Sequence, residues 1–163
     1  MTMKIGPSRV APVWCFAALF VVAVPVNYFW EIAQGFLFVG MDWGSVATWV
    51  HCFIASVGDG FLVWIIFAVG WLTFKRSDWF VDPRALHYSV MLIVGLGLGV
   101  VVEWVAVGLI NRWTYTEQMP LIPGLVIGLV PVIQMVVLPP AIFFVVAAWI
   151  KHKEMNSNQA SRA

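Results

Sequence analysis

Three acidic residues, Glu31, Asp59 and Glu103, lie within long apolar runs of the sequence. A carboxylate at the centre of a membrane helix costs roughly 2.5–3.5 kcal/mol on insertion scales, so such residues usually face a bundle interior and mark a site. Mutual repulsion and poor solvation would keep at least one of three clustered carboxyls protonated near neutral pH. A proton donor beside a proton acceptor in a dry cavity is what acid–base chemistry on an apolar molecule needs. We therefore predict that these three residues are catalytic, while noting that proton-coupled transport would need the same groups.

Other polar and aromatic residues are expected around the three acids. Counted along ideal helices from the less basic ends of the runs, the polar groups of all four runs fall in one layer about 6 to 20 Å deep. Asn27 and Gln34 share a helix face with Glu31, because they are spaced i,i+4 and i,i+3. The predicted substrate-binding residues are Asn27, Trp30, Gln34, His51, Trp104, Arg112, Tyr115 and Gln134.

Several of these residues have a purely structural alternative. Buried amides and hydroxyls often hydrogen-bond neighbouring membrane helices, and Asn27 and Gln134 fit that description. Trp30 and Trp104 each adjoin an acid, so they are either packing and anchoring residues or an aromatic wall for a cationic intermediate. Arg112 is expected to pair with an acid of the layer or to bind an anionic head group.

Composition fixes the class of protein that must position these residues. Of 163 residues, 62% are hydrophobic and 10% are charged, whereas soluble domains carry about 25% charged residues. Four apolar runs, at about 13–39, 46–74, 88–110 and 125–150, each exceed the roughly 20 residues that span a bilayer as a helix. The prolines at positions 25, 131, 139 and 140 are expected to kink these helices.

The predicted fold is an all-α membrane protein with a four-transmembrane-helix bundle and both termini in the cytoplasm. The bundle covers residues 13–150, between a cytoplasmic segment 1–12 and a disordered cytoplasmic tail 151–163. Orientation follows from charge, since eight of the nine Lys and Arg residues flank the runs on one side and only Arg112 lies on the other. Basic residues concentrate on the cytoplasmic side of membrane proteins. The expected location is a bacterial inner membrane.

Composition and spacing also exclude some partners and cofactors. A net charge of +1 leaves no basic surface for nucleic acid. Neither a metal nor another cofactor is expected, because His51 has no second histidine on its side of the membrane. Cys15 and Cys52 lie in apolar runs and are interpreted as packed thiols. The expected partners are a membrane lipid or hydrophobic small molecule, and a second copy or another membrane protein.

Six short motifs occur in order along the chain: Asn27-Tyr-Phe-Trp30-Glu31, Gly58-Asp59-Gly60, Glu103-Trp104, Arg112-Trp-Thr-Tyr115, Met119-Pro120 and Pro131-x-x-Gln134. Over about residues 12–150 the chain resembles a group of short four-span bacterial membrane proteins to which no activity is assigned. A looser likeness is to sterol isomerases and the sigma-2 receptor, which place acids and tryptophans around an intramembrane cavity. This chain lacks their additional span, so that likeness is an analogy.

Three functions are compatible with these features. The first is proton-transfer chemistry, of isomerase or cyclase type, on a lipid or isoprenoid, with Asp59 or Glu103 as the acid and Glu31 as the base. The second is a small proton-coupled exporter. The third is an accessory or assembly subunit of a membrane complex, in which the polar layer is structural. The nearly pure apolar composition of the other halves of the runs favours a one-sided cavity over a path through the membrane.

Overall fold

The computed structural model describes residues 11–160. This part of the chain contains four long helices and no β-strand. The helices are α1 (Pro12–Gln34), α2 (Val46–Phe74), α3 (Ala85–Glu103) and α4 (Leu129–Ala160). A short 3₁₀ turn, Gly35–Leu37, continues α1, and a π-helical turn, Trp104–Leu109, continues α3. Each helix is long and apolar enough to cross a membrane, with mean hydropathies between 1.8 and 2.4. The predicted all-helical bundle of membrane-spanning helices is confirmed to this extent.

The helices form a ring in which each packs against its neighbours in the chain and α1 closes on α4. Glycines allow the close approach of α3 to α4. A Cβ atom at Gly95 would overlap the carbonyl oxygen of Met135, and one at Gly99 would lie 3.2 Å from the Cα of Val132. Small residues at such positions are how membrane helices gain packing contacts.

One end of the bundle, here called the basic end, consists of residues 75–84 and the last turns of α4. Trp79 and Phe80 of the connection are buried there and stack around Phe143 of α4. Lys151 of α4 bonds Asp82 of the connection at 2.6 Å. Behind these contacts lies an apolar core that includes Leu19, Phe67 and Met91, and the buried free thiol of Cys15. The interior of this half is therefore mainly apolar, with a cavity of about 250 Å³ beside Phe80, Phe143 and Lys151.

The opposite end, here called the capped end, is covered by the connections 38–45 and 110–128. The backbones of the two connections pair, since Val39 N–H donates to the Thr114 carbonyl and Thr116 N–H donates to the Leu37 carbonyl, both at 2.9 Å. Gly124 supplies a left-handed turn with φ of 80° within the longer connection, a conformation that costs glycine little. Backbone pairing thus holds the two connections together over the ends of the helices.

Some boundaries differ from the sequence prediction. Helix α4 starts at Leu129, so Pro131 lies in its first turn, where its missing N–H leaves no hydrogen bond unmade. Helices α1 and α4 continue through Pro25 and through Pro139 and Pro140. Residues 1–10 and 161–163, which include most of the predicted N-terminal segment, lie outside the described part.

The predicted disordered tail also differs from the structure, because α4 remains helical to Ala160. One contact between distant parts of the chain and two local contacts accompany the extension. Lys151 is tied to Asp82, the Lys153 ammonium lies 5.5 Å from the centre of the Trp149 ring, and Asn156 is hydrogen-bonded to His152 at 3.2 Å. Side-chain pairs spaced by four residues stabilise a helix that polar composition alone would not predict.

Candidate intramembrane site

The three predicted catalytic acids line a single cavity of about 330 Å³ near the capped end. Glu31 comes from α1, Asp59 from α2 and Glu103 from α3, while Gln134 of α4 completes the lining. The cavity with these four residues is here called the acid cavity. Its volume falls in the range of small-molecule sites in proteins, about 300–1,000 Å³.

Gln134 connects α4 to α1 and α2 through its side-chain amide. Its Nε2 donates toward Asn27 Oδ1 at 2.9 Å, Asp59 Oδ2 at 2.9 Å and Glu31 Oε1 at 3.2 Å. An amide nitrogen carries two hydrogens, so it cannot serve three acceptors fully at once. Gln34 adds a bond of 2.8 Å from its own Nε2 to Glu31 Oε1. The acids are therefore held by neutral amides, with fewer donors than acceptors.

Glu31 and Asp59 form a carboxyl pair. Glu31 Oε1 and Asp59 Oδ2 both lie within hydrogen-bonding distance of the same nitrogen, Gln134 Nε2, at 3.2 and 2.9 Å. Two carboxyls this close together in a poorly solvated site favour a state in which they share one proton. Two carboxyls that share one proton are the arrangement used where one group gives a proton and the other receives it.

Glu103 has a separate environment on the α3 side of the acid cavity. It is 3% exposed, and its Oε2 accepts a hydrogen bond from the Tyr115 hydroxyl. The same hydroxyl accepts a bond of 2.9 Å from the Gly128 backbone N–H. Burial, and then the bond to Glu103, raise the pKa of the Tyr115 phenol above its usual value, so Tyr115 remains a donor. Tyr115 therefore holds the Glu103 carboxyl in position at the cavity.

The cations near the acid cavity do not neutralise these acids. Arg112 and His51 both line the cavity, but within the described residues the ion pairs are Arg76–Asp78 and Lys151–Asp82, both outside it. The expectation that Arg112 pairs with Glu103 or Glu31 is therefore not met. The physical reason is that Arg112 lies on an exposed connection beyond the end of α3, where water solvates its guanidinium.

Trp113 also lines the acid cavity, and sequence analysis did not single it out. Its indole nitrogen is buried and lies beside Glu103 and Tyr115, but it does not reach hydrogen-bonding geometry with either. A buried donor without a partner is rare in native proteins and calls for an explanation. The position directly after Arg112 in an aromatic connection was the only signal in the sequence.

Three predicted binding residues lie behind the lining rather than in it. Asn27 is 1% exposed, donates to the Ala23 carbonyl and accepts from Gln134. Trp30 donates from its indole nitrogen to Gln34 Oε1 at 3.0 Å and so positions that amide. Tyr115 positions Glu103 as described above. Gln34 and His51 line the cavity directly.

Trp104 does not contribute to the acid cavity. Its side chain is 53% exposed and lies against Gly108 on the outside of the π-helical turn. Consecutive residues of a helix are about 100° apart, so an inward Glu103 directs Trp104 away from the interior. The predicted aromatic wall is therefore absent at this position, and Trp104 fits the alternative of a membrane-facing anchor.

Neither a metal-binding cluster nor a known relative assigns the chemistry. Among residues 11–160, no group of three or more His, Cys, Asp and Glu side chains is arranged to hold a metal ion. No protein-family model, curated protein or solved structure matches this chain. The resemblance to four-span bacterial proteins stays a prediction, and the function must be argued from the acid cavity itself.

Proposed function

We propose that this protein is an intramembrane acid–base enzyme that moves a double bond or closes a ring in an apolar lipid or isoprenoid. The observation that carries the proposal is that an adjacent carboxyl pair, Glu31 and Asp59, lines one cavity with a third carboxyl, Glu103, while the ion pairs within the described residues involve none of the three. A purely structural layer would not need these carboxyls, because amides bond equally well without a buried charge.

The geometry supports separate roles for the acids. The Glu31–Asp59 pair holds the proton to be given, so Asp59 is the acid, with Glu31 retaining the pair's negative charge. Glu103, which accepts from Tyr115, is the base. Protonation of one alkene carbon by Asp59 leaves a cationic carbon, and transfer of a neighbouring C–H proton to Glu103 forms the new double bond. The substrate is isomerised without net change in atoms, and one proton passes from the pair to Glu103.

This assignment refines the sequence hypothesis, in which Glu31 was the base. The difference rests on Tyr115, whose hydroxyl is held by the Gly128 N–H on one side and donates to Glu103 on the other. A carboxyl oriented by such a fixed donor is placed to accept a proton as a general base.

A path through the membrane has less support. A second cavity of about 250 Å³ lies at the basic end and is lined by residues that include Phe80, Met91 and Lys151. The interior of the bundle also holds closely packed side chains, among them Ile66, Phe67 and Ile142, each 1% exposed or less. An exporter that carries substrate across the membrane needs a second opening on that side, whereas an enzyme with a one-sided cavity does not.

We place both termini in the cytoplasm of a bacterial cell and the acid cavity in the outer half of the inner membrane. Support comes from charge, since eight of the nine Lys and Arg residues flank the basic-end side of the runs. The Lys151–Asp82 bond supports it too, because it brings the connection 75–84 and the last turns of α4 to one end.

Solvent deuterium tests the proposed chemistry on any lipid that the protein converts. Membranes containing the full-length protein would be incubated in D₂O with a total lipid extract, and the lipids examined by mass spectrometry for deuterium in carbon-bound positions. Because the donor and the base are different groups, each turnover introduces solvent deuterium into product. We expect a lipid species that gains deuterium with the wild-type chain and not with Asp59→Asn or Glu103→Gln.

Glu117→Gln is the matched control, because it makes the same chemical change at an exposed residue of the connection 110–128. It should retain wild-type deuterium gain, and all variants should retain helical circular dichroism. Equal deuterium gain in wild type, Asp59→Asn and Glu103→Gln would rule out acid–base catalysis by these groups and favour the accessory-subunit function.

A further inference from the structure

The acid cavity reaches the outer surface of the bundle between α2 and α3. Ile54 and Gly58 of α2 line the cavity, yet both are exposed, Ile54 by 59%. A Cβ atom at Gly58 would meet nothing within 4 Å, so the space beside this glycine is open. Gly99 and Val102 of α3 form the facing side. Both residues of α2 lie within its membrane-spanning length, so the opening faces lipid tails.

The polar end of the cavity offers a hydrogen-bond donor that is poorly satisfied. The buried indole nitrogen of Trp113 lies beside Glu103 and Tyr115 without reaching hydrogen-bonding geometry with either, and Arg112 next to it forms no ion pair within the described residues. Both residues line the cavity where the connection 110–128 covers it. An oxygen atom of a ligand placed here would accept from Trp113, which removes the cost of an unpaired buried donor.

Charge limits which oxygen can occupy this position. Glu31, Asp59 and Glu103 share the cavity with one certain cation, Arg112. Each of these carboxyls that ionises adds a negative charge to the cavity, whereas the guanidinium supplies one positive charge. An anionic head group would add like charge to a poorly solvated cavity, whereas an uncharged oxygen would not.

We infer that the acid cavity takes an uncharged amphiphile from the bilayer, whose chain passes between α2 and α3 at Gly58 and whose oxygen accepts from Trp113. The inference names the substrate class of the proposed enzyme and rests on that proposal for turnover, while binding itself is independent of it. The alkyl chain of this ligand lies beside the three carboxyls, and the hydrogen bond from Trp113 to its oxygen fixes its position along the cavity.

Photolabelling of the full-length protein in phosphatidylcholine nanodiscs tests the inference. The probe is 1-dodecanol with a diazirine at mid-chain, and the labelled peptides are found by mass spectrometry. We expect labelling of α2 and α3 around Gly58 and Gly99, and displacement by plain 1-dodecanol. Dodecane lacks the oxygen and dodecyl phosphate is anionic, so each should displace the probe about tenfold less effectively.

Two pairs of variants separate the opening from the oxygen site. Gly58→Leu fills the opening, whereas Gly97→Leu makes the same change on α3, where a Cβ also meets nothing within 4 Å. Labelling should be lost in the first and kept in the second. If Gly58→Leu fails to fold, Ile54→Trp, one turn earlier on α2, blocks the same opening. Trp113→Phe removes the indole donor, and Trp104→Phe is its control on an exposed residue.

The expected result is about tenfold weaker binding of the alcohol to Trp113→Phe and unchanged binding to Trp104→Phe. Equal labelling of Gly58→Leu and Gly97→Leu would overturn the lateral opening. Unchanged affinity of Trp113→Phe would show that the indole serves Glu103 instead, and preference for dodecyl phosphate would overturn the uncharged class. Specific labelling without deuterium gain would contradict only the proposed enzyme, and deuterium gain without labelling would contradict only this inference.

Discussion

At the scale of single residues, Gln134 is the amide that Glu31 and Asp59 both use as a hydrogen-bond donor. Its two N–H hydrogens face three acceptors, Asn27, Glu31 and Asp59. In the proposed mechanism, both carboxylates of the Glu31–Asp59 pair compete for this amide once the pair has given up its proton. The starting state is restored when a proton returns to the pair from water or from Glu103.

Tyr115 is the residue whose loss should affect folding most directly. Tyr115→Phe removes the hydroxyl that donates to Glu103 and accepts from the Gly128 N–H. Leaving such buried partners unsatisfied costs about 1–3 kcal/mol. We expect a lower free energy of unfolding in detergent by that amount, measured by denaturant titration. Tyr88→Phe, at an exposed position of α3, is the control and should change stability little.

The same phenol gives a pH dependence of known sign. Because the pKa of Tyr115 is raised in the folded protein by burial and by the bond to Glu103, its stabilisation is complete below the unfolded pKa of about 10 and is lost as pH rises above it. The stability difference between wild type and Tyr115→Phe should therefore shrink at alkaline pH. A difference that grows above about pH 10 would contradict this assignment of the phenol as a donor.

Which site residues could be predicted depended on helical spacing. Asn27, Glu31 and Gln34 were placed together because i,i+3 and i,i+4 residues share a face, and their hydrogen bonds reflect that spacing. The same argument should have separated Trp104 from Glu103, its immediate neighbour. Trp113 and the role of Tyr115 depend on the path of an irregular connection, for which a sequence offers no periodicity.

At the scale of helices, the glycines of α3 give a matched pair of substitutions. Gly95→Ala places a Cβ against the Met135 carbonyl oxygen, so α3 and α4 must move apart. Overpacking of this kind costs about 1–3 kcal/mol. Gly97→Ala meets nothing within 4 Å and gains helix propensity of up to about 1 kcal/mol. Thermal unfolding in detergent should rank Gly97→Ala at or above wild type and Gly95→Ala below it; the reverse order would contradict the α3–α4 packing.

The existence of the four helices followed from hydrophobic length alone, because lipid leaves the backbone no alternative to internal hydrogen bonds. The residues at which the helices begin and end could not be predicted from hydrophobic length. The π-helical turn Trp104–Leu109 and the start of α4 at Leu129 lie in apolar sequence that continues across both boundaries. The extension of α4 beyond residue 150 depends on the contact of Lys151 with Asp82, which is distant in the chain.

At the scale of the whole molecule, the ring of helices explains why residues distant in sequence meet. Each helix packs on two others, so one inward face from every helix reaches the same axis. With the acids at similar distances from the capped end, that arrangement brings all three to one cavity. The sequence could predict the common depth, while the order of helices around the ring required the structure.

Sidedness is a property of the whole molecule, and cysteine labelling in cells can measure it. The native thiols of Cys15 and Cys52 are buried, so they give little background. Gln118→Cys lies on the exposed connection of the capped end and Ser157→Cys near the end of α4. Because basic residues concentrate at the cytoplasmic side, we expect a membrane-impermeant maleimide to label Gln118→Cys in intact cells and Ser157→Cys only after lysis. If only Ser157→Cys were labelled in intact cells, the orientation of the protein in the membrane would be the reverse of the one proposed here. The acid cavity would then draw its substrate from the cytoplasmic leaflet, with the chemistry of its residues unchanged.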